Sequence, residues 1–244
     1  MVEFLLTALG QNSETSTMLA TQVNETLAAA ATYGQNRILL SMLGRGADID
    51  FRTTRGIKTW TPPLTLAASN GNVETVKLLV EHGADVKAEK RTQSALGAAI
   101  KNNQTEIARL LLDNGADPNS IYLDGLVPAA ERGGIEMVEL LLNIGPQFRR
   151  SSFCQRALFK AIEEGHEKIT RLLIEQGGAN PNFLDPTSRR STMRMAVRQT
   201  QPNLGIVRLL IEQGVLPDSQ DIRLVKFNGN EELIRLLEQH CKPP

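Results

Sequence analysis

One pattern recurs in register along this chain of 244 residues. A short stretch rich in small residues is followed by a turn, then a second stretch rich in leucine, then a glycine. The clearest copy is Pro62 to Asp85, PPLTLAASNGNVETVKLLVEHGAD. Aligned beneath it are ETLAAAATYGQNRILLSMLGRGAD from Glu25, SALGAAIKNNQTEIARLLLDNGAD from Ser94 and DGLVPAAERGGIEMVELLLNIG from Asp124. Repetition at a period of about 33 residues predicts stacked supersecondary units sharing one elongated core. Such a solenoid offers a long open surface and no enclosed pocket.

The glycine that ends each second stretch marks the units. It falls at Gly10, Gly46, Gly83, Gly115, Gly145, Gly177 and Gly214, with Cys241 in the same slot of the last unit. A glycine just past a helix predicts a left-handed terminator. The turn between the two helices is expected at Gly34, Gly71, Asn103, Gly133, Gly165, Pro202 and Gly229. Gly or Asn there fits a positive φ, and Pro202 does not, so residues 200–203 read as an insertion. The expected organisation is a single repeat domain over residues 1–244. It consists of a half-repeat 1–10 and repeats of about 25–46, 62–83, 94–115, 124–145, 156–177, 191–214 and 220–241.

The first helix of each unit keeps its side chains small, as at Ala67 and Ala68, Ala98 and Ala99, and Ala129 and Ala130. The second carries three consecutive apolar residues, as in Leu110, Leu111 and Leu112. Three such residues span roughly 200° of a helix at about 100° each, so both flanks need cover. The last helix, NEELIRLLEQH, is one-sided, with Leu233, Ile234, Leu236 and Leu237 opposed to Glu231, Glu232, Arg235 and Glu238. That is the pattern of a terminal cap. At the other end, Val2 to Leu9 resembles the second helix of a unit, and Gln11 to Asn24 reads as a long loop folding back on it.

The pattern resembles the ankyrin repeat, on Pro63, Leu64, Ala67, Ala68, Gly71, Leu78, Leu79, Gly83, Ala84 and Asp85 of the best unit. The resemblance implies an all-α solenoid, two layers of antiparallel helices, and hairpin-like fingers at each junction. The family's opening His is absent: its slot holds Ala28, Thr65, Gly97, Val127, Phe159, Arg194 and Arg223. The expectation is therefore an array held by apolar contact, with few hydrogen bonds across repeats. By the family pattern, exposed first-helix positions on the concave face include Tyr33, Asn70, Lys101, Arg132 and Phe227.

Charge balances, with 27 Lys and Arg against 27 Asp and Glu, so no global field draws the protein to nucleic acid or membrane. Two cysteines, Cys154 and Cys241, are too few for a disulfide framework. The opening apolar run is too short for a secretory signal or a membrane span. These features lead to the expectation of a cytoplasmic or nuclear protein in a reducing compartment.

The expected fingers carry Arg52, Arg55 and Trp60, then Arg149 and Arg150 beside Phe148 and Phe153, then Arg189 and Arg190 beside Phe183. Arg and aromatic residues are the usual interface anchors. One reading is a basic and aromatic ridge binding a protein with an acidic or phosphorylated segment. The other is that the aromatics fold inward and the basic residues only solubilise. Asp48, Asp50, Asp85 and Glu89 interrupt any continuous phosphate track. His82 and His166 read as helix-end and turn residues. No metal-ligand spacing, Gly-rich phosphate loop or nucleophile elbow is present, so neither cofactor nor metal is expected. The functional expectation is a non-catalytic interaction module, with a homodimer through the N-terminal end as a further partner. The alternative is an enzyme or small-molecule binder using a pocket between the fingers and the first-helix groove.

Overall fold

The computed structural model describes residues 13–51, 61–87, 94–117, 125–145, 148–149, 152–185, 190–199 and 201–241. These residues hold α1 (Ser13–Thr32), α2 (Asn36–Leu43), α3 (Pro63–Asn70), α4 (Val73–Glu81), α5 (Ala95–Lys101), α6 (Thr105–Asp113) and α7 (Leu126–Glu131). They continue with α8 (Ile135–Ile144), α9 (Ser152–Glu163), α10 (Glu167–Glu175), α11 (Thr192–Val197), α12 (Leu204–Glu212), α13 (Ser219–Asn228) and α14 (Glu231–His240). No strand occurs among the described residues; one isolated antiparallel bridge joins Leu184 and Ser191.

The chain forms two compact units, Met1–Tyr122 and Leu123–Pro244. In the first, α1, α3 and α5 pack in succession as an inner layer, and α2, α4 and α6 as an outer one. In the second, α7, α9, α11 and α13 form the inner layer, α8, α10 and α12 the outer one, and α14 packs on α13. The centre of the leucine run is sealed in α4, α6, α8, α10 and α12: Leu79, Leu111, Leu141, Leu173 and Leu210 are all 0% exposed. In α14, Leu233 and Leu237 are buried while Glu231, Glu232, Arg235 and Glu238 face solvent, as a terminal cap requires.

Six of the seven expected turn residues have positive φ: Gly34, Gly71, Asn103, Gly133, Gly165 and Gly229. Two of these glycines are also fixed by proximity. A Cβ on Gly71 would lie 2.7 Å from the Gln104 amide nitrogen, and one on Gly133 would lie 2.9 Å from the His166 ring. A side chain of the next repeat lies over each turn and would have to shift to admit a Cβ beneath it.

Gly46, Gly83, Gly115 and Gly214 are left-handed terminators as expected. Two positions differ. Gly145 is extended, with φ −168° and ψ 143°; Pro146 follows it in sequence, and a residue before proline is held to extended conformations. In repeat five the left-handed residue is Gly178, at φ +68°. Gly177 is glycine for lack of room, since a Cβ there would lie 2.6 Å from the Leu173 carbonyl oxygen and 2.7 Å from Cys154 Sγ.

The long loop expected over Gln11–Asn24 is not found among its described residues. From Ser13 the chain is already helical and continues unbroken to Thr32. No Gly or Pro interrupts this stretch and alanines fill its end, so nothing in the local sequence breaks a helix. The hydroxyls of Thr21, Thr26 and Thr32 donate to carbonyls one turn back, at 2.7–2.8 Å.

Candidate interaction surface

Each inner helix ends at a turn, and the residues just before the turn point away from the core. In the first unit these are Tyr33, which is 75% exposed, then Ser69 and Asn70, then Lys101 and Asn102. Two residues expected from the sequence, Tyr33 and Asn70, thus fall at one repeat-equivalent position, and Lys101 falls one position earlier in its helix. Asn70 donates its side-chain amide to the Leu66 carbonyl at 2.8 Å, closing its own helix end. In the second unit the equivalent tips carry Glu131 with Arg132, and Glu163 with Glu164, all exposed. Lys160 joins this row through a 2.8 Å hydrogen bond to Glu163, which raises its pKa above the ordinary lysine value.

The row is held from beneath by bonds that cross repeats. Asn72 donates its side-chain amide to the carbonyls of Ala31 and Thr32, both at 2.9 Å. His166 Nε2 lies 3.1 Å from the Glu131 carbonyl oxygen. Gln199 donates to the carbonyls of Ile162 and Glu163, the latter at 2.8 Å, and Asn203 donates to Gly165 O at 3.1 Å. The expectation of few cross-repeat hydrogen bonds is therefore corrected: the bonds lost with the opening His are replaced by side chains near the start of the following outer helix. A signal for this lay in the sequence, because the residue after each turn is Gln35, Asn72, Gln104, His166, Asn203 or Asn230, broken only by Gly134.

In the slot of the absent His, Arg194 makes a network of its own. Arg194 donates to Asp221 at 3.0 Å, to Gln220 at 2.8 Å and to both carboxylate oxygens of Asp218, joining α11 to α13. Burial opposes the Arg194 cation, but the bonds and charges of Asp221 and Asp218 outweigh it and raise its pKa. Burial likewise opposes ionisation of Asp218, yet the Asp221 and Gln220 backbone N–H groups and Arg194 hold its carboxyl below the usual range. Asp221, only 2% exposed, goes the other way: desolvation dominates and pushes it up. The two aspartates also form a reciprocal capping box at the start of α13.

The finger residues have divided fates. Phe148 is fully buried. Arg149 reaches back and donates Nε to the Leu142 carbonyl at 2.9 Å, closing the end of α8. Phe153 lies in the first turn of α9, half-buried, with the Arg156 guanidinium 5.9 Å from its ring centre. Phe183 is 38% exposed and packs obliquely on Phe159 at 6.0 Å, and the neighbouring Leu184 is 52% exposed. Arg190 is half-buried, and its carbonyl accepts from Asp185 N–H at 3.0 Å, which closes a hairpin-like finger. Arg52, Arg55, Trp60, Arg150 and Arg189 lie outside the described residues, as does the side chain of Phe227 on α13.

His82 Nδ1 lies 2.8 Å from the Leu78 carbonyl oxygen, at the helix end where the sequence reading puts it. Neither cysteine is joined in a disulfide; Cys154 is buried and Cys241 half-buried. Among the described residues no group of three or more His, Cys, Asp or Glu side chains is placed to share a metal ion, and no helix is long and apolar enough to cross a membrane.

Residues 27–122 and 126–221 each match the family described as ankyrin repeats (3 copies). Over 218 residues, 89% of this chain, the sequence is 30% identical to the ankyrin repeat and KH domain-containing protein mask-1 of Caenorhabditis elegans. Over 183 residues, 75% of the chain, it is 30% identical to an ankyrin repeat and KH domain-containing protein of Caenorhabditis briggsae. The matched parts are 8% and 7% of those proteins, so the chain spans a small fraction of their length. Among solved structures, the ankyrin repeat domain of human ASB11 superposes with a TM-score of 0.68 at 22% identity, covering 89% of this chain and 98% of that one. An ankyrin repeat domain from Acinetobacter baumannii superposes with a TM-score of 0.60 at 30% identity, covering 77% and 97%.

Proposed function

Because this chain belongs to the ankyrin repeat family and folds as an all-α solenoid of its repeats, we propose that it is a non-catalytic protein–protein interaction module. The observation that carries this reading is that each unit exposes its inner-helix tips, with Tyr33, Asn70 and Lys101 in the first unit and Arg132 in the second. The main chain just before Tyr33 and Arg132, at Thr32 and Glu131, accepts bonds from the next repeat, so at these tips a partner meets a prepared surface and spends little ordering it. The exposed Phe183 and Leu184 supply an apolar anchor beside Arg190. Arg52, Arg55, Trp60, Arg150, Arg189 and Phe227 complete the set on sequence grounds.

The partner class is a protein with an acidic or phosphorylated segment, steered by charge and retained by the aromatic anchors. The test is an array of acidic, phosphorylated and neutral peptides probed with the native chain and with Arg52, Arg55, Arg150, Arg189 and Arg190 replaced by Ser. Arg149 is kept, because its guanidinium closes α8. Acidic peptides should bind the native chain, weaken as salt rises and associate more slowly with the variant. Equal binding by both chains at low salt would leave the basic residues as a solubilising surface only.

A further inference from the structure

One sequence pattern of the second unit has no part in the inner-helix tips. Two arginines, a spacer, a hydroxyl residue and an apolar residue follow one another twice, as Arg149-Arg150-Ser151-Ser152-Phe153 and as Arg189-Arg190-Ser191-Thr192-Met193. Each hydroxyl residue opens an inner helix: Ser152 is the first residue of α9 and Thr192 the first of α11. Cations two and three places before a hydroxyl suit a kinase with an acidic substrate groove, since kinases and their substrates recognise one another through charge patterns. By sequence the two copies are equivalent.

The structure separates them. Thr192 is 0% exposed, and its hydroxyl donates to the Pro181 carbonyl. Met193 behind it is 1% exposed. The spacer Ser191 is the N-cap of α11 and accepts from the Arg194 N–H at 3.1 Å. Arg194 is tied in turn to Asp221 on α13. Presenting Thr192 to an enzyme therefore means dismantling a buried junction.

Ser152 is exposed, and Phe153 behind it is half-buried. Arg149 is exposed too, held at Nε by the Leu142 carbonyl at 2.9 Å. A kinase reads its substrate extended, so this bond and the first turn of α9 must open. Helix ends open at far lower cost than buried junctions. The phosphate is also well received once it is in place. No acidic residue stands in the first turn of α9, and the exposed Arg156 lies four residues on from Ser152. The helix start and an arginine one turn away both favour an anion at Ser152.

We propose that Ser152 is a phosphorylation site, the substrate of a serine/threonine kinase that selects arginine two and three places before its acceptor. The Ser152 hydroxyl oxygen attacks the γ-phosphorus of Mg-bound ATP, and the new O–P bond forms as the bond to the β-phosphate oxygen breaks. ADP leaves, and the hydroxyl proton passes to the kinase's catalytic carboxylate. The product carries about 1.5 to 2 negative charges next to Arg149 and Arg150 in the sequence. The site is independent of the partner assigned to the inner-helix tips, since it requires an exposed hydroxyl behind arginines and nothing of that partner.

A purified kinase of that selectivity, with Mg-ATP and the native full chain, tests it, the phosphate being located by fragment mass spectrometry. Peptides of residues 146–156 and 186–196 serve as unfolded controls. Both peptides should be modified, at Ser152 and at Thr192. The folded chain should take phosphate at Ser152 at least about tenfold faster than at Thr192. Arg150→Gln should slow modification of the folded chain at least about tenfold; Arg149 is left in place because it closes α8. A folded chain that stays unmodified while peptide 146–156 reacts overturns the proposal, and so does phosphate on Ser151 in place of Ser152. Equal rates at Thr192 and Ser152 in the folded chain, a native rate in Arg150→Gln, or either peptide left unmodified overturns it as well.

Discussion

Arg194 on α11 places its Nε 3.0 Å from Asp221 on α13, a carboxylate that is 2% exposed. This bond spans the boundary between the sixth and seventh repeats, and the same guanidinium holds Asp218 and Gln220. A side chain in the slot of the missing histidine thus ties the last repeat to the array.

Removing one partner of such a pair strands a buried charge. Arg194→Ala should cost about 2–3 kcal/mol in urea denaturation, somewhat less than the roughly 3–5 kcal/mol of a fully buried pair because Arg194 keeps some exposure. Arg194→Lys should recover only part, since one ammonium nitrogen lacks the planar, spread donors with which three guanidinium nitrogens reach Asp221, Gln220 and Asp218. Arg208→Ala removes an exposed pair with Glu232 and should stay within about 0.5 kcal/mol. Equal losses at Arg194 and Arg208 would show that the network adds nothing.

The same cluster sets an acid dependence. Asp218 is depressed in the folded state, so its contribution is present above the ordinary carboxylate pKa and lost as pH falls through its own lower value. Asp221 is raised, so its contribution is present below the ordinary pKa and lost as pH rises through the elevated value. The two oppose each other on the acid side. Urea midpoints between about pH 3 and 7 should fall less on acidification in Asp218→Asn and more in Asp221→Asn. Identical slopes in both variants and the native chain would remove these groups from the acid response.

The turn slot gives paired substitutions of opposite sign. Gly71→Ala meets both a positive φ and the Gln104 amide, so it should cost more than Gly83→Ala, which has positive φ but no atom within 4 Å of a Cβ. The Gly83 change should cost about 1–2 kcal/mol from backbone strain alone. Asn103 is the non-glycine residue with positive φ among those described, and its buried side-chain oxygen has no hydrogen-bond partner. Asn103→Gly should therefore be neutral or stabilise by up to about 1 kcal/mol. A thermal melt in which Gly71→Ala matches Gly83→Ala would show that the overlying amide moves aside freely.

One-sided packing in α14 suggests a cap that forgives truncation. Leu237 is nevertheless as inaccessible as Leu111, both at 0% exposure. Leu111→Ala and Leu237→Ala should each cost about 2–5 kcal/mol. A loss below about 1 kcal/mol at Leu237 would mean that the cap relaxes around the gap.

Where the sequence could be read, it was read through local rules. Gly34, Asn103 and Gly229 declare a positive φ by residue type alone, and α14 declares its exposed side by charge. The differences arise where a neighbour in space decides. Gly177 looks like a terminator but is glycine because Cys154 presses on it. Phe148 sits in a stretch with every mark of a surface loop and is buried, while Arg149 beside it turns back to a carbonyl. The helix from Ser13 was hidden by reading a polar stretch as a loop when nothing in it breaks a helix. At the candidate surface, exposure of Tyr33, Asn70 and Arg132 follows from the repeat register. The cross-repeat network does not, because Asn72, His166 and Gln199 find their partners more than thirty residues away.

The acceptors in that network are main-chain oxygens, those of Thr32, Glu131 and Glu163 among them. Every amino acid carries such an oxygen. The residue at each helix tip can therefore change identity without loosening the joint beneath it. Selection can rewrite what this surface recognises while the scaffold goes on folding in the same way.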